Sequence, residues 1–296
     1  MTNTDALLAS QKIAVIGGGS MAEAILRGLI EAKLVDAGSI VVLNRSNQAR
    51  LEELRRAYGV RIPETNSPEE RSAFVQDADI VMLAMKPKDV GTAMAEFKES
   101  IKPEQLIMSV IAGLSIGTIE QLLDRPQPVA RTMPNTSSTI GLGATGISFS
   151  ETVTAERQRI AIRMFEAVGL AVPTEERLLD VVTGVSGSGP AYVYYMMEAM
   201  IEAGVNGGLT EAQAHELVVQ TVLGAASMVK STGESPAALR AKVTSPNGTT
   251  FAAIGVLEQH RFQEAVRRAV ERASERAGEM GKEIADAALH TPAKAE

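Results

Sequence analysis

Short apolar runs alternate with amphipathic stretches over the first part of the chain. Lys12-Ile13-Ala14-Val15-Ile16 reads as a buried strand, and the apolar positions Ala24, Ile25, Leu26, Leu29 and Ile30 then recur at helical spacing. Ile40–Leu43 is a second strand, and 49–58 has a helical pattern. Asp79–Ala84, Gln105–Val110 and Val129–Met133 supply three more strand runs. Strands separated by helical stretches in this way predict βαβ units and a doubly wound α/β domain, a parallel sheet with helices on both faces.

The pattern changes near Ala171-Val172-Pro173-Thr174, after which strand signals stop and helical periodicity dominates. Pro190 suits the first position of a helix that Gly207-Gly208 ends. Thr210 with Gln213 forms a capping box that opens the next helix, running to about Lys230. Ser235-Pro236 starts a short helix, and 261–284 reads as a long charged one with pairs such as Glu264 and Arg268. The expected organisation is a dinucleotide-binding domain over residues 1–172 and an all-helical domain over 173–296. The helical part is rich in Ala, Gly and Met, which allow close helix approach, so it is expected to bury apolar surface against a second copy.

Composition narrows the chemistry. The chain of 296 residues is 45% hydrophobic, only 3% aromatic and without Trp, and it carries a formal net charge of −7. Few aromatic platforms and an acidic balance argue against a nucleic-acid partner. The absence of Cys excludes disulfides, thiol nucleophiles and thiolate metal sites. His215, His260 and His290 match no metal-ligand spacing, so no metal is expected. The first residues lack the basic stretch of a signal peptide, and uncharged runs such as 132–150 are broken by Gly, Pro, Ser and Thr. No membrane span is expected, and a cytoplasmic protein is the default.

Gly17-Gly18-Gly19-Ser20-Met21-Ala22 stands between the first strand and the first long helix. Gly17 permits the tight turn, Gly19 allows a pyrophosphate to approach the backbone at the positive helix end, and Ala22 keeps helix and strand close. The second strand ends in Asn44-Arg45-Ser46. An NAD site usually has an acid there to hold the ribose hydroxyls. Arg45 can instead pair with a 2′-phosphate, which selects NADP(H) over NAD(H). Ala84-Met85-Lys86-Pro87, Ala112-Gly113 and Met133-Pro134-Asn135 follow later strands, at the carboxyl ends that line a cofactor crevice in such sheets.

Val243-Thr244-Ser245-Pro246-Asn247-Gly248-Thr249-Thr250 is a tight turn feeding a helix that opens with two hydroxyl residues. The unpaired N–H groups of such a terminus favour an anion. Thr249 and Thr250 also read as simple caps, worth about 1 kcal/mol. Neither Gly-rich segment contains His. Gly184-x-Ser186 is followed by Ser188, where a nucleophile elbow needs Gly. Few acids and bases suit hydride transfer, which needs orientation of donor and acceptor above all.

Several segments in order resemble the pyrroline-5-carboxylate reductase family: 16–22, 84–87, Ser186-Gly187-Ser188-Gly189-Pro190-Ala191-Tyr192, Glu198-Ala199, Gly208-Leu209 and 243–250. The resemblance spans nearly the whole chain, and the Ser-Pro-x-Gly-x-Thr helix start is its most specific part. Asn247 stands where the family more often has Gly; Asn also tolerates left-handed backbone. The resemblance implies NAD(P)H-dependent reduction of 1-pyrroline-5-carboxylate to L-proline. It also implies a homodimer through interlocking helical domains, often assembled into a larger ring. Carried over, Thr250 hydrogen-bonds the ring nitrogen, as proton donor or as orienting hydroxyl. Ser245, Gly248 and Thr249 hold the substrate carboxylate, Arg45 and Ser46 the 2′-phosphate, and Asn66 the adenosine side. Ser186–Pro190 falls near the nicotinamide or in helix packing. The alternatives are another NADP-dependent imine or β-hydroxyacid reductase, or a non-catalytic NADP-binding sensor. A hydroxyacid enzyme would need a lysine in the helical part, and neither Lys230 nor Lys242 sits in a matching motif.

Overall fold

The computed structural model describes residues 2–290. Its strands are β1 (Ile13–Ile16), β2 (Ile40–Leu43), β3 (Ile80–Leu83), β4 (Leu106–Ser109), β5 (Val129–Met133), β6 (Gly143–Phe149) and β7 (Gly169–Pro173). Around the sheet lie the helices α1 (Asn3–Ala9), α2 (Ser20–Glu31), α3 (Gln48–Tyr58), α4 (Pro68–Asp77), α5 (Val90–Phe97), α6 (Ile116–Leu123), α7 (Ala155–Glu166) and α8 (Leu179–Val182). Then come α9 (Gly189–Asn206), α10 (Glu211–Thr232), α11 (Pro236–Lys242), α12 (Thr249–Gln259) and α13 (Phe262–Leu289).

The strands form one sheet in the order β2-β1-β3-β4-β5-β6-β7. All neighbours are parallel except β5 and β6, which run antiparallel. Register aligns Ile16 with Leu43 on one side and with Leu83 on the other. The first four strands are buried along their whole length, which is why they read as unbroken apolar runs rather than as alternations. Two core layers cover the two faces, one containing Val15, Ile25, Leu29, Met82 and Phe165 and the other Ile16, Leu83, Val90, Ile119 and Ile284.

Five strands were expected, and seven are present among the described residues. β6 lies within the run 132–150 that reads as broken, because Thr145, Gly146 and Ser148 interrupt its apolar pattern. Gly146 has a packing reason: a Cβ there would stand 2.8 Å from the side chain of Val182 on α8. β7, at the sheet edge, begins at the positive-φ residue Gly169 and ends at Pro173, inside the segment where strand signals fade.

The described residues divide into two compact units, 2–188 with 272–290 and 189–271. The expected border at 172/173 falls at the end of β7, inside the first unit. α13 contributes to both: its residues up to Glu271 belong to the second unit, while Ile284 and Ala288 lie in a core layer of the first. The second unit is all helical. A Cβ on Gly204 of α9 would come 3.2 Å from the Cβ of Ala214 on α10, so these two helices approach closely. Yet α9 and α12 bury no residue, while Tyr195 is 77% exposed and Leu217 58%. No described helix is long and apolar enough to cross a membrane.

Candidate active site

In the first unit the order of strands reverses at β1, which lies between β2 and β3. That is where a crevice opens beyond the strand carboxyl ends of a doubly wound sheet. A cleft of about 700 Å³ lies there, lined by Gly17, Gly18, Gly19 and Ser20, by Asn44, Arg45 and Ser46, and by Ala84, Met85 and Lys86. This volume suits a nucleotide-sized ligand.

The glycine turn is shaped by backbone contacts. Gly17 has φ +107°, its N–H donates to the Leu43 carbonyl at 2.8 Å, and a Cβ on it would stand 2.6 Å from the Ala84 carbonyl. Gly19 is the N-cap of α2, and a Cβ there would meet no protein atom within 4 Å. The backbone faces open space where a diphosphate would approach the helix end. Arg50 braces the turn from below: its Nε donates to the Gly18 carbonyl at 2.8 Å, and its other nitrogens pair with Glu23 and Glu53. The Arg50 hydrogen bond, with a further one from the Tyr58 hydroxyl at 2.8 Å, holds the Glu23 carboxyl below the usual carboxylate range. Burial, followed by that same carboxylate, pushes the Tyr58 phenol up.

At the end of β2, the Asn44 side-chain oxygen accepts from the N–H groups of Ser46 and Asn47, both at 3.1 Å. Arg45 is exposed and, among the described residues, has no carboxylate partner, unlike Arg50 and the buried Arg71. No acid occupies 44–46. A free guanidinium, an open glycine cradle and an uncapped helix end together fit a phosphorylated dinucleotide.

The other expected cofactor residues are placed differently. Asn66 is adjacent, its Nδ2 donating to the Asn44 carbonyl at 2.9 Å. Met21 packs partly against the core, and Pro87 opens a short 3₁₀ turn. Ala112 is half-buried in the turn after β4. Gly113, at φ +83°, lies against α13: a Cβ there would meet Gly281 at 3.1 Å. Pro134 is buried, between Met133 and Asn135. Asn135 donates to the Ser186 carbonyl at 3.0 Å and accepts from the Ala144 N–H at 3.1 Å, while a Cβ on Gly187 would strike the Met133 methyl at 2.6 Å. Packing of the 183–187 π turn onto the end of β5 therefore accounts for Gly187. Sequence reasoning missed Arg50, Arg71 and Lys88, which also line the cleft. In sequence the two arginines look like ordinary charges on helix faces; Lys88 lies only two residues past Lys86.

The second unit holds the other candidate segment. Asn247 adopts φ +61°, and the Gly248 N–H closes the turn onto the Ser245 carbonyl at 3.0 Å. Gly248 is the N-cap of α12 and supplies no side-chain cap. Thr249 and Thr250 occupy the first two helical positions, so their caps-only reading fails: neither is the N-cap residue. The helices α1, α3, α4, α6, α7, α10 and α11 each start from Thr, Asn or Ser whose oxygen accepts a backbone N–H. Among described helices with a non-helical N-cap, α2 and α12 alone begin from glycine and leave their N–H groups uncapped.

Two regions of the chain match known protein families. Residues 176–280 match the family model described as pyrroline-5-carboxylate reductase dimerisation, and 12–113 match NADP oxidoreductase coenzyme F420-dependent. The chain is 42% identical over 256 residues to pyrroline-5-carboxylate reductase 1 of Bacillus spizizenii, covering 86% of this chain and 84% of that one. It resembles the solved structure of a pyrroline-5-carboxylate reductase from Coxiella burnetii with a TM-score of 0.84 and 37% identity, over 92% of this chain and 98% of the other. The Plasmodium falciparum pyrroline carboxylate reductase, solved with NADP bound, aligns with a TM-score of 0.81 and 28% identity over 93% and 99%.

Proposed function

Because the chain belongs to the pyrroline-5-carboxylate reductase family, we propose how its own residues carry out the NADPH-dependent reduction of 1-pyrroline-5-carboxylate to L-proline. The observation that carries the proposal is the pair of uncapped, glycine-started helices α2 and α12, one in each matched region. Each presents unpaired N–H groups to an anion, and the reaction has two anions to bind, a cofactor diphosphate and a substrate carboxylate.

NADPH, when bound, supplies the hydride. Gly17, Gly18, Gly19, Ser20 and Met21 hold its diphosphate at the start of α2. Arg45 and Ser46 hold the 2′-phosphate, with Asn44 and Asn66 shaping the loop that carries them. Ala84, Met85, Lys86 and Pro87 form the wall after β3. Ala112, Gly113, Met133, Pro134 and Asn135 act mainly through packing behind the cofactor. At the start of α12, Ser245 and Gly248 of the preceding turn and Thr249 of the helix hold the carboxylate through backbone N–H groups and hydroxyls, without needing an arginine.

Thr250 meets the ring nitrogen. The protonated imine is already electrophilic at carbon, so the hydroxyl needs only to accept its N–H and fix the ring. Hydride addition at carbon then leaves the secondary amine of proline with no further proton required. An orienting contact of this kind acts on kcat: Thr250→Ala lowers it about 100-fold, as loss of one preorganised polar partner does, while Thr250→Ser retains most of it. Full kcat in the alanine variant would remove the residue's role.

The chain forms a homodimer through the region 176–280. A cytoplasmic location and assembly of dimers into a larger ring are inferred from the family resemblance. Light scattering of the purified protein tests the ring.

A further inference from the structure

Arg71 is the one cleft-lining arginine whose side chain is almost wholly buried, at 6% exposure. Its guanidinium forks in two directions. Nε and Nη2 reach Glu96 on α5 at 2.7 Å, and Nη1 donates to the Asn66 carbonyl. Asn66 sits at φ +54°, its N–H donates to the Glu70 carboxylate at 3.0 Å, and its Nδ2 donates to the Asn44 carbonyl at 2.9 Å. Asn44 in turn shapes the Arg45-Ser46 loop through its own side-chain oxygen. A continuous line of polar contacts thus runs from α5, which follows β3, to the loop after β2.

We propose that Arg71 is a positioning residue that sets the preference for NADPH over NADH, by holding Asn66 and through it the Asn44-Arg45-Ser46 loop in the shape that reads the 2′-phosphate. This rests on the reading of Arg45 and Ser46 given above. The chemistry suits an arginine. A planar fork bonds Glu96 and the Asn66 carbonyl at once, whereas a lysine ammonium on a flexible stem does not span both. The 2′-phosphate is the only cofactor group absent from NADH, so a misplaced loop costs NADPH more than NADH.

The test measures kcat/KM for both cofactors on the intact dimer, in wild type, Arg45→Ala, Arg71→Lys and the double variant Arg71→Met with Glu96→Met. The double variant removes both ends of the buried pair, so neither is left as an uncompensated charge if Arg71→Lys folds poorly. Asp5→Asn, which breaks the distant Asp5–Arg163 pair, serves as a destabilised control. The expected result is a NADPH/NADH ratio lowered about tenfold in both Arg71 variants and unchanged in Asp5→Asn, with melting temperature lowered in Arg71→Lys and Asp5→Asn. A wild-type ratio retained by both Arg71 variants, while Arg45→Ala lowers it, overturns the inference alone. A wild-type ratio unaffected by Arg45→Ala overturns the reading of Arg45 and the inference with it.

Discussion

A side chain on Gly17 would stand 2.6 Å from the carbonyl carbon and oxygen of Ala84, so the glycine turn and the end of β3 touch through backbone alone. Neither partner can rotate away, and φ +107° is closed to side-chain-bearing residues. Gly17→Ala is therefore expected to destabilise the protein by at least about 1–3 kcal/mol and to abolish cofactor binding. Gly19→Ala separates the two effects. Its Cβ meets nothing in the protein, so the melting temperature stays unchanged while KM for NADPH rises about tenfold or more. Thermal melts alongside steady-state kinetics check both variants.

Arg50 supports the same turn through its 2.8 Å bond to the Gly18 carbonyl. Arg50→Gln leaves Glu23 without its cation and the Gly18 carbonyl free to turn toward the diphosphate. The expected outcome is a KM for NADPH raised about tenfold with kcat and the imine KM unaltered. An equal loss in every parameter would contradict a role confined to the turn.

The second unit has little interior of its own. Only Ala214 and Val218 are buried on its longest complete helix, α10, whereas Leu217 beside them is largely exposed. Burying such side chains against a second copy is worth about 1.5–3 kcal/mol each. Leu217→Glu places a charge in that contact and is expected to give a monomeric mass by light scattering at micromolar concentration, with activity reduced.

Asp5 links the amino-terminal helix to α7 through Arg163 at 2.7 Å. That hydrogen bond, followed by one from the Thr2 backbone, lowers its carboxyl to about 2, from 3.8 for the free group. A depressed folded-state value means that stability is fully present above about pH 4 and is lost as pH falls toward 2. Urea denaturation at pH 7 and pH 3 is expected to show a smaller decline in Asp5→Asn than in wild type.

Much of the fold was readable because its signals are local. The strand–turn–helix at 13–31, the Asn44-Arg45-Ser46 strand end, and the Thr210–Gln213 capping box depend on neighbours in sequence, and each is found where the pattern puts it. β6 and β7 were not readable, since Gly146 makes sense only beneath Val182 and the edge strand is too short for a clear period. The return of α13 to the first unit depends on Ile284 and Ala288 reaching a core formed more than a hundred residues earlier in sequence. Gly113 looked like a cofactor contact by its strand-end position, yet Gly281 lies against it. Arg71 carries no local signal, because its partners Glu96 and Asn66 are brought to it only by the fold.

The chain reduces a cyclic imine with NADPH. Following NADPH absorbance after addition of 1-pyrroline-5-carboxylate, with proline assayed in the same sample, tests it most directly. The predicted result is NADPH oxidation that saturates with the imine and yields one proline per NADPH consumed. NADPH that binds but is not oxidised when the imine is present would contradict the claim and leave a cofactor-binding protein without this activity.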